Sequence, residues 1–174
     1  NIYGPVYYSF DVDNVHYIVT PMAGGDYWPG YTKDDVCRWM KNDLEHVKPG
    51  TPVYVFNHDI LTEGDKFIYS GKSESINLNE YNLKAWIYGH WHINHIKKQG
   101  DVYTVCSSTI GKGGIDHSTS SYRVMRVDRK GDFVSEMRYA YIDNQLCISS
   151  PSGKTASNTI NVNVYSSNAS TEQV

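Results

Sequence analysis

Apolar residues alternate with polar ones, or run together in short blocks, along most of this chain, and both patterns are typical of β-strands. Two alternating runs within residues 6–20 are separated by Asp13-Asn14, a pair that suits a tight hairpin. Residues 53–56 and 85–88 are apolar at every position, which is the pattern of central strands in a helix-covered sheet. Further strands are predicted at 67–70, 93–97, 102–106, 122–127 and 133–142.

One segment shows helical spacing instead. Apolar side chains recur every three or four positions between residues 36 and 47, and they predict one buried helical stripe. Thr32 is a suitable N-cap, and Asp34 and Asp35 stand in the first turn, where negative charge is favoured. Pro49-Gly50 should end this helix. A single helical turn is also predicted at 78–82. The members of the stripe are Val36, Trp39, Met40, Leu44 and Val47.

The composition changes near residue 144. Residues 149–157 are rich in Ser, Pro and Gly and predict a linker, and residues 159–165 alternate as one more strand. A lone strand is not stable by itself, so it either joins the main sheet or belongs to a further domain. We therefore predict a main unit over 1–145, and a linker with the first strand of a truncated β domain over 146–174.

The amino-acid composition argues against several classes of protein. Hydrophobic residues make up 40%, charged residues 20%, and the net charge is −3, as in an ordinary globular domain. The sparse Lys and Arg argue against a nucleic-acid surface, and no apolar run approaches the ~18–20 residues of a membrane span. Cys37, Cys106 and Cys147 are too widely spaced for a zinc ribbon. Fifteen tyrosines suit half-exposed sheet faces and favour a periplasmic or secreted location, although the compartment stays unknown.

Histidines follow both of the fully apolar strands. His58 comes after the first, and Gly89-His90-Trp91-His92 comes after the second. Because parallel strands deliver their carboxyl ends to one edge of a sheet, we expect His58, His90 and His92 to converge there. Neutral imidazoles can bind one metal ion, or one ion each of an adjacent pair. The alternative is that these histidines lie in ordinary surface turns.

These features resemble the calcineurin-like metallophosphoesterase superfamily. The family's late motifs are a strand ending in a lone His and a strand ending in Gly-His-x-His, which are similar to 53–58 and 89–92 here. Residues 4–16 are similar to the segment that follows the family's Gly-Asn-His motif. Residues 39–44, Trp-Met-x-x-Asp-Leu, are similar to its helix before the lone His. Together these similarities cover about residues 1–142.

The resemblance implies an α/β (α+β) fold, part of a metallophosphoesterase β-sandwich flanked by helices and mainly β in this segment. It also implies a hydrolase that cleaves small phosphomonoesters or phosphodiesters with two divalent ions of Mn, Zn or Fe. By the resemblance, His58 and His90 would ligate the second metal and His92 the first.

The family's first half carries Asp-x-His, Gly-Asp and Gly-Asn-His motifs, and this sequence contains none of them. Ile60 also stands where the family often has proline. The chain therefore supplies three imidazoles without the carboxylates that bridge two metals, so we expect it to be inactive alone, and whether it binds metal without its other half stays open. We expect it to be the C-terminal half of a domain whose partner is the missing N-terminal half. The apolar face left uncovered should favour self-association.

Other candidates have plainer alternatives. Tyr27, Trp28 and His117 are candidates for a substrate loop, with ordinary packing or a flexible loop as the alternative. His95 suits a role in solvent or in support of the ligands rather than as a ligand itself, and His16 suits a core position. The alternative function is a non-catalytic β-rich binding module of a cell-surface or secreted, glycan-associated protein, with structural histidines. A catalytically dead phosphoesterase used as a scaffold is the third possibility.

Overall fold

The computed structural model describes residues 6–22, 30–60, 62–111, 114–115, 119–149 and 161–167. These residues form thirteen β-strands and one α-helix, so the chain is mainly β, as the sequence predicts. In this part of the chain no helix is long and apolar enough to cross a bilayer.

The strands are short and follow one another closely along the chain. They are β1 (Tyr8–Val12), β2 (Val15–Val19), β3 (Val53–Phe56), β4 (Thr62–Glu63), β5 (Lys66–Ser70), β6 (Ser75–Asn77), β7 (Leu83–Tyr88), β8 (His95–Gln99), β9 (Val102–Cys106), β10 (Ser121–Val127), β11 (Phe133–Tyr139), β12 (Asn144–Ser149) and β13 (Asn161–Ser166). Helix α1 spans Lys33–Glu45, and a 3-10 turn spans Leu78–Glu80.

Six strands form the main sheet, in the order β1-β2-β3-β7-β9-β8. The four central strands are parallel, and β1 and β8 pair antiparallel at the two edges. Strands β4 to β6 form a second sheet, and β10-β11 and β12-β13 form two-stranded ribbons. Because β3 and β7 are parallel neighbours, the residues that follow them meet at one edge.

Local signals explain the first hairpin and the start of the helix. Asp13 and Asn14 adopt φ of 49° and 66°, as a two-residue hairpin turn between twisted strands requires. Thr32 caps α1: its hydroxyl accepts from the Asp35 N–H at 3.2 Å, while the Asp35 carboxylate accepts from the Thr32 N–H at 2.7 Å. The helix ends at Glu45, before the predicted Pro49-Gly50 stop, with His46 as its C-cap.

The main sheet is covered on both faces. Helix α1 buries one stripe against the first face, where Ile18, Val55 and Trp86 are fully buried. Cys37 belongs to this stripe, whereas the predicted members Trp39 and Val47 are only half-buried because they stand at its margins. This two-sided burial explains why residues 53–56 and 85–88 of the central strands β3 and β7 are apolar at every position. The buried residues of the stripe are Val36, Cys37, Met40 and Leu44.

The β10-β11 hairpin packs on the second face of the sheet. Met125, Val127 and Phe133 contact the cluster that contains Tyr54. The Tyr54 hydroxyl donates to the Gly131 carbonyl oxygen at 2.8 Å, and burial raises the pKa of this phenol. The apolar side chains of β1, at the edge of the sheet, stay exposed, with Tyr8, Phe10 and Val12 at 42%, 43% and 51%.

The end of the chain differs from the expectation of a linker and a single strand. Strand β12 lies where the linker was predicted to begin, and it pairs antiparallel with β13 from Asn144↔Ser166 to Ser149↔Asn161. The extra strand therefore has a partner outside the main sheet. The sequence did not predict β12 because polar and apolar residues alternate only weakly in it, and both of its ends are polar. The domain division at residue 145 stays a prediction.

Candidate functional site

The chain segments that follow β3 and β7 are tied together through their backbones. The Asn57 N–H donates to the Ile87 carbonyl oxygen at 2.9 Å. The His58 carbonyl oxygen accepts from the N–H groups of Gly89 and His90, at 3.1 and 2.8 Å. Gly89 is the residue at which one backbone passes close to the other. Parallel pairing of β3 and β7 thus places His58 beside His90, although 32 positions separate them in sequence.

The two imidazoles contact each other directly. His58 Nε2 lies 2.9 Å from His90 Nδ1, and the rings are nearly perpendicular at 79°. At metal–nitrogen distances of about 2.0–2.1 Å, adjacent ligand nitrogens of one octahedral or tetrahedral ion lie about 2.9–3.4 Å apart. The pair therefore fits either a hydrogen bond between one protonated and one bare nitrogen, or shared ligation of one ion. Both side chains are exposed, so an ion can reach them.

His92 is held differently. Its φ is 50°, in the left-handed region that non-glycine residues rarely adopt, and such conformations cluster at functional sites. Its N–H donates to the Gly89 carbonyl oxygen at 3.0 Å, and its own carbonyl accepts from the Ile115 N–H at 2.9 Å. Among the described residues, no group of three or more His, Cys, Asp or Glu side chains is arranged to hold a metal ion. His58, His90 and His92 are therefore not gathered into one group of three in the described part of the chain.

The side chains around His58 hold its loop in place. The Asn57 amide nitrogen donates to the Thr20 hydroxyl at 2.6 Å, and its carbonyl oxygen accepts from the Asp59 N–H at 2.9 Å. The Trp86 indole N–H donates to the Asp59 carbonyl oxygen at 2.9 Å from inside the core. These contacts fix the backbone on both sides of His58, so its imidazole is presented from a rigid support.

A cleft of about 100 Å³ borders the histidine pair, and Lys33 and Tyr69 also line it. Lys33 is the first residue of α1, so its ammonium and the positive end of the helix favour an anion beside the imidazoles. Burial raises the pKa of Tyr69 to about 12. Neither residue was among the sequence candidates. Lys33 was recognisable, because a helix that follows a parallel strand begins at the same edge of the sheet.

The other candidates lie elsewhere. Tyr27, Trp28 and His117 fall outside the described residues. His16 is 3% exposed, with its ring nitrogens 2.9 Å from carboxylate oxygens of Asp11 and Asp43, which agrees with the core position expected for it. His95 is half-buried at the start of β8.

No protein-family model matches the sequence, and no curated protein matches it. The chemistry available at the site is that of its side chains: two adjacent imidazoles that can bind a transition metal, and one lysine that can attract an anion. Such a combination suits the binding of a negatively charged group beside a metal ion.

Proposed function

We propose that this chain is part of a metal-dependent phosphoester hydrolase of the calcineurin-like type. The observation that carries the proposal is the 2.9 Å separation of His58 Nε2 and His90 Nδ1 where two neighbouring parallel strands end. The resemblance assigns these two histidines to the same ion, and their separation is the one expected for two ligands of one ion. It assigns His92 to the other ion.

Each residue has a separate role in this proposal. His58 and His90 hold one divalent ion of Mn, Zn or Fe, and His92 contributes to a second. Bound metal polarises the phosphoryl oxygens and lowers the pKa of a bound water. Lys33 attracts the phosphoester anion and holds it beside the imidazoles. The backbone contacts of His58 keep the ligands fixed during the reaction.

The proposal includes a missing partner. The carboxylates that bridge two metals are expected from the N-terminal half of the domain, which would add the other sheet of the β-sandwich. Tyr8 and Phe10 of β1, exposed at 42% and 43%, are available for contact with that half or for self-association. The chain alone is therefore inactive, while the parent protein is active.

Activity assays test the proposal. We expect the pure chain to release no p-nitrophenol from p-nitrophenyl phosphate or its diester in Mn²⁺, and the parent protein to do so. His90→Ala in the parent should abolish turnover, whereas His46→Ala, an exposed helix C-cap, should not. Robust metal-dependent turnover by the pure chain would refute its inactivity.

Metal binding tests the histidine pair without relying on activity. Zn²⁺ titrated into the chain by calorimetry should bind through the two imidazoles, and His58→Ala and His90→Ala should each weaken it. The exposed His46→Ala variant is the matched control and should bind as the unmodified chain does. Unchanged Zn²⁺ affinity in either His58→Ala or His90→Ala would show that the two histidines do not share one ion.

A non-catalytic glycan-binding module is the second candidate. Tyr8 and Phe10 stack at 6.2 Å on an exposed edge strand, an arrangement that can support a sugar ring. Glycan binding that survives a chelator and His90→Ala but is lost in Phe10→Ala would favour this function over hydrolysis.

A further inference from the structure

A second cleft lies on the face of the main sheet opposite α1, beneath the β10-β11 hairpin. Its volume is about 340 Å³, within the range of about 300–1000 Å³ found for small-molecule sites. Phe56, Ile87 and Val105 line it from the sheet, and Met125 and Val127 line it from the hairpin. Both walls are apolar, so a ligand must bring an apolar body.

One charged side chain, Arg123 of β10, lines this cleft among the described residues. Its Nη1 donates to the Ser135 hydroxyl at 3.0 Å, whereas its Nε is buried and has no hydrogen-bond partner in the described part of the chain. Burial lowers the pKa of the guanidinium, yet arginine keeps its proton in proteins. A guanidinium N–H that is buried without an acceptor is costly, so the cleft favours an anion beside Arg123.

Two other arginines of the hairpin differ from Arg123 in having a carboxylate partner. Arg126 and Arg138 both pair with Glu136, at 2.7 and 2.6 Å. No ion pair joins Arg123 to a carboxylate among the described residues. A guanidinium presents Nε and the adjacent Nη as a fork that matches the two oxygens of a carboxylate. A carboxylate therefore suits the guanidinium of Arg123 as a partner in this cleft.

We propose that the cleft binds a small amphipathic carboxylate, with its apolar body between the sheet and the hairpin and its carboxylate on Arg123. A neutral apolar ligand would leave the guanidinium unpaired. A docked peptide would bring main-chain groups that need hydrogen-bond partners, and the apolar walls offer few. The lining shares no residue with the histidine cleft, so this site is independent of the proposed hydrolase.

Calorimetry with sodium decanoate tests this site on the intact chain. We expect saturable binding of decanoate and much weaker binding of 1-decanol, which lacks the charge. Arg123→Met should weaken decanoate binding by about 10- to 100-fold, because a charged hydrogen-bonded pair is lost. Arg126→Met is the matched control on the same strand and should change nothing, since its side chain is 62% exposed. Met125→Trp should abolish binding by filling the cleft.

Several results would overturn the proposal. These are no saturable decanoate binding by the folded chain, equal binding of 1-decanol, or equal losses in the two arginine variants. If Arg123→Met does not fold by circular dichroism, Met125→Trp and the 1-decanol comparison decide. Failure of decanoate to bind, together with loss of self-association in Arg123→Met, would show that a protein carboxylate is the occupant instead.

Discussion

Trp86→Phe removes the indole that connects the core of the main sheet to the loop carrying His58. Trp86 is fully buried, and its N–H donates to the Asp59 carbonyl oxygen at 2.9 Å. Its ring also packs 6.3 Å from that of Phe67. Phenylalanine fits in the same space, but it lacks the N–H and leaves the Asp59 carbonyl without its donor.

The expected cost follows from the atoms that are lost. The smaller ring lacks two carbon atoms and the indole nitrogen. At about 0.8 kcal/mol per buried carbon group, the lost apolar contact costs about 1.6 kcal/mol. The lost hydrogen bond adds about 1 kcal/mol. We therefore expect the free energy of unfolding to fall by about 2–3 kcal/mol and Tm to fall by about 4–12 °C.

Urea and thermal unfolding followed by circular dichroism measure this change. Trp91→Phe is the matched control, because Trp91 is 45% exposed and the same replacement there should cost less than about 0.5 kcal/mol. The variant should also bind Zn²⁺ more weakly, since the loop carrying His58 loses one of its anchors. Equal unfolding free energies for the two variants would refute the argument from burial.

Burial raises the pKa of Tyr69 and Tyr88 to about 12 each, above the value near 10 of a tyrosine in an unfolded chain. The two neutral phenols therefore contribute their full stabilisation to the folded state below pH 10. Between pH 10 and 12 we expect the free energy of unfolding to fall by about 1.4 kcal/mol per pH unit for each tyrosine. A midpoint urea concentration that does not change over this pH range would contradict the expectation. Gly131 has φ of 79°, and a Cβ there would clash with a neighbouring proline ring. Gly131→Ala should therefore lower the free energy of unfolding in urea by about 1–3 kcal/mol. Gly30→Ala, where nothing lies near the added Cβ, should leave it unchanged. Asn94→Ala removes the amide nitrogen that donates to two serine hydroxyls, at 3.1 and 2.9 Å. Hydrogen exchange of the backbone amides in its loop should therefore become faster. Unchanged exchange rates would show that these hydrogen bonds do not stabilise the loop.

Much of the fold could be predicted from local signals. The turn at Asp13-Asn14 and the cap at Thr32 depend on residues within four positions of each other, so sequence alone identifies them. Strand β12 could not be predicted in this way, because its pairing with β13 depends on residues 12 to 22 positions away.

The same division applies to the candidate site. Two apolar strands that each end in histidine were enough to expect His58 near His90, because parallel strands share an edge. The sequence could not show that His92 adopts a left-handed conformation. Lys33 was not among the candidates, although the start of a helix that follows a parallel strand marks the same edge of the sheet.

The sequence by itself determined most of the strands, the single helix and the identity of the three candidate metal ligands, because hydrophobic period, turn residues and caps act over a few positions. Only the tertiary structure decided which imidazoles contact each other, which carbonyl oxygen accepts from the Trp86 indole, and that the buried Nε of Arg123 has no carboxylate partner among the described residues. These outcomes depend on side chains brought together from distant strands, where packing and the loss of water determine which contacts form.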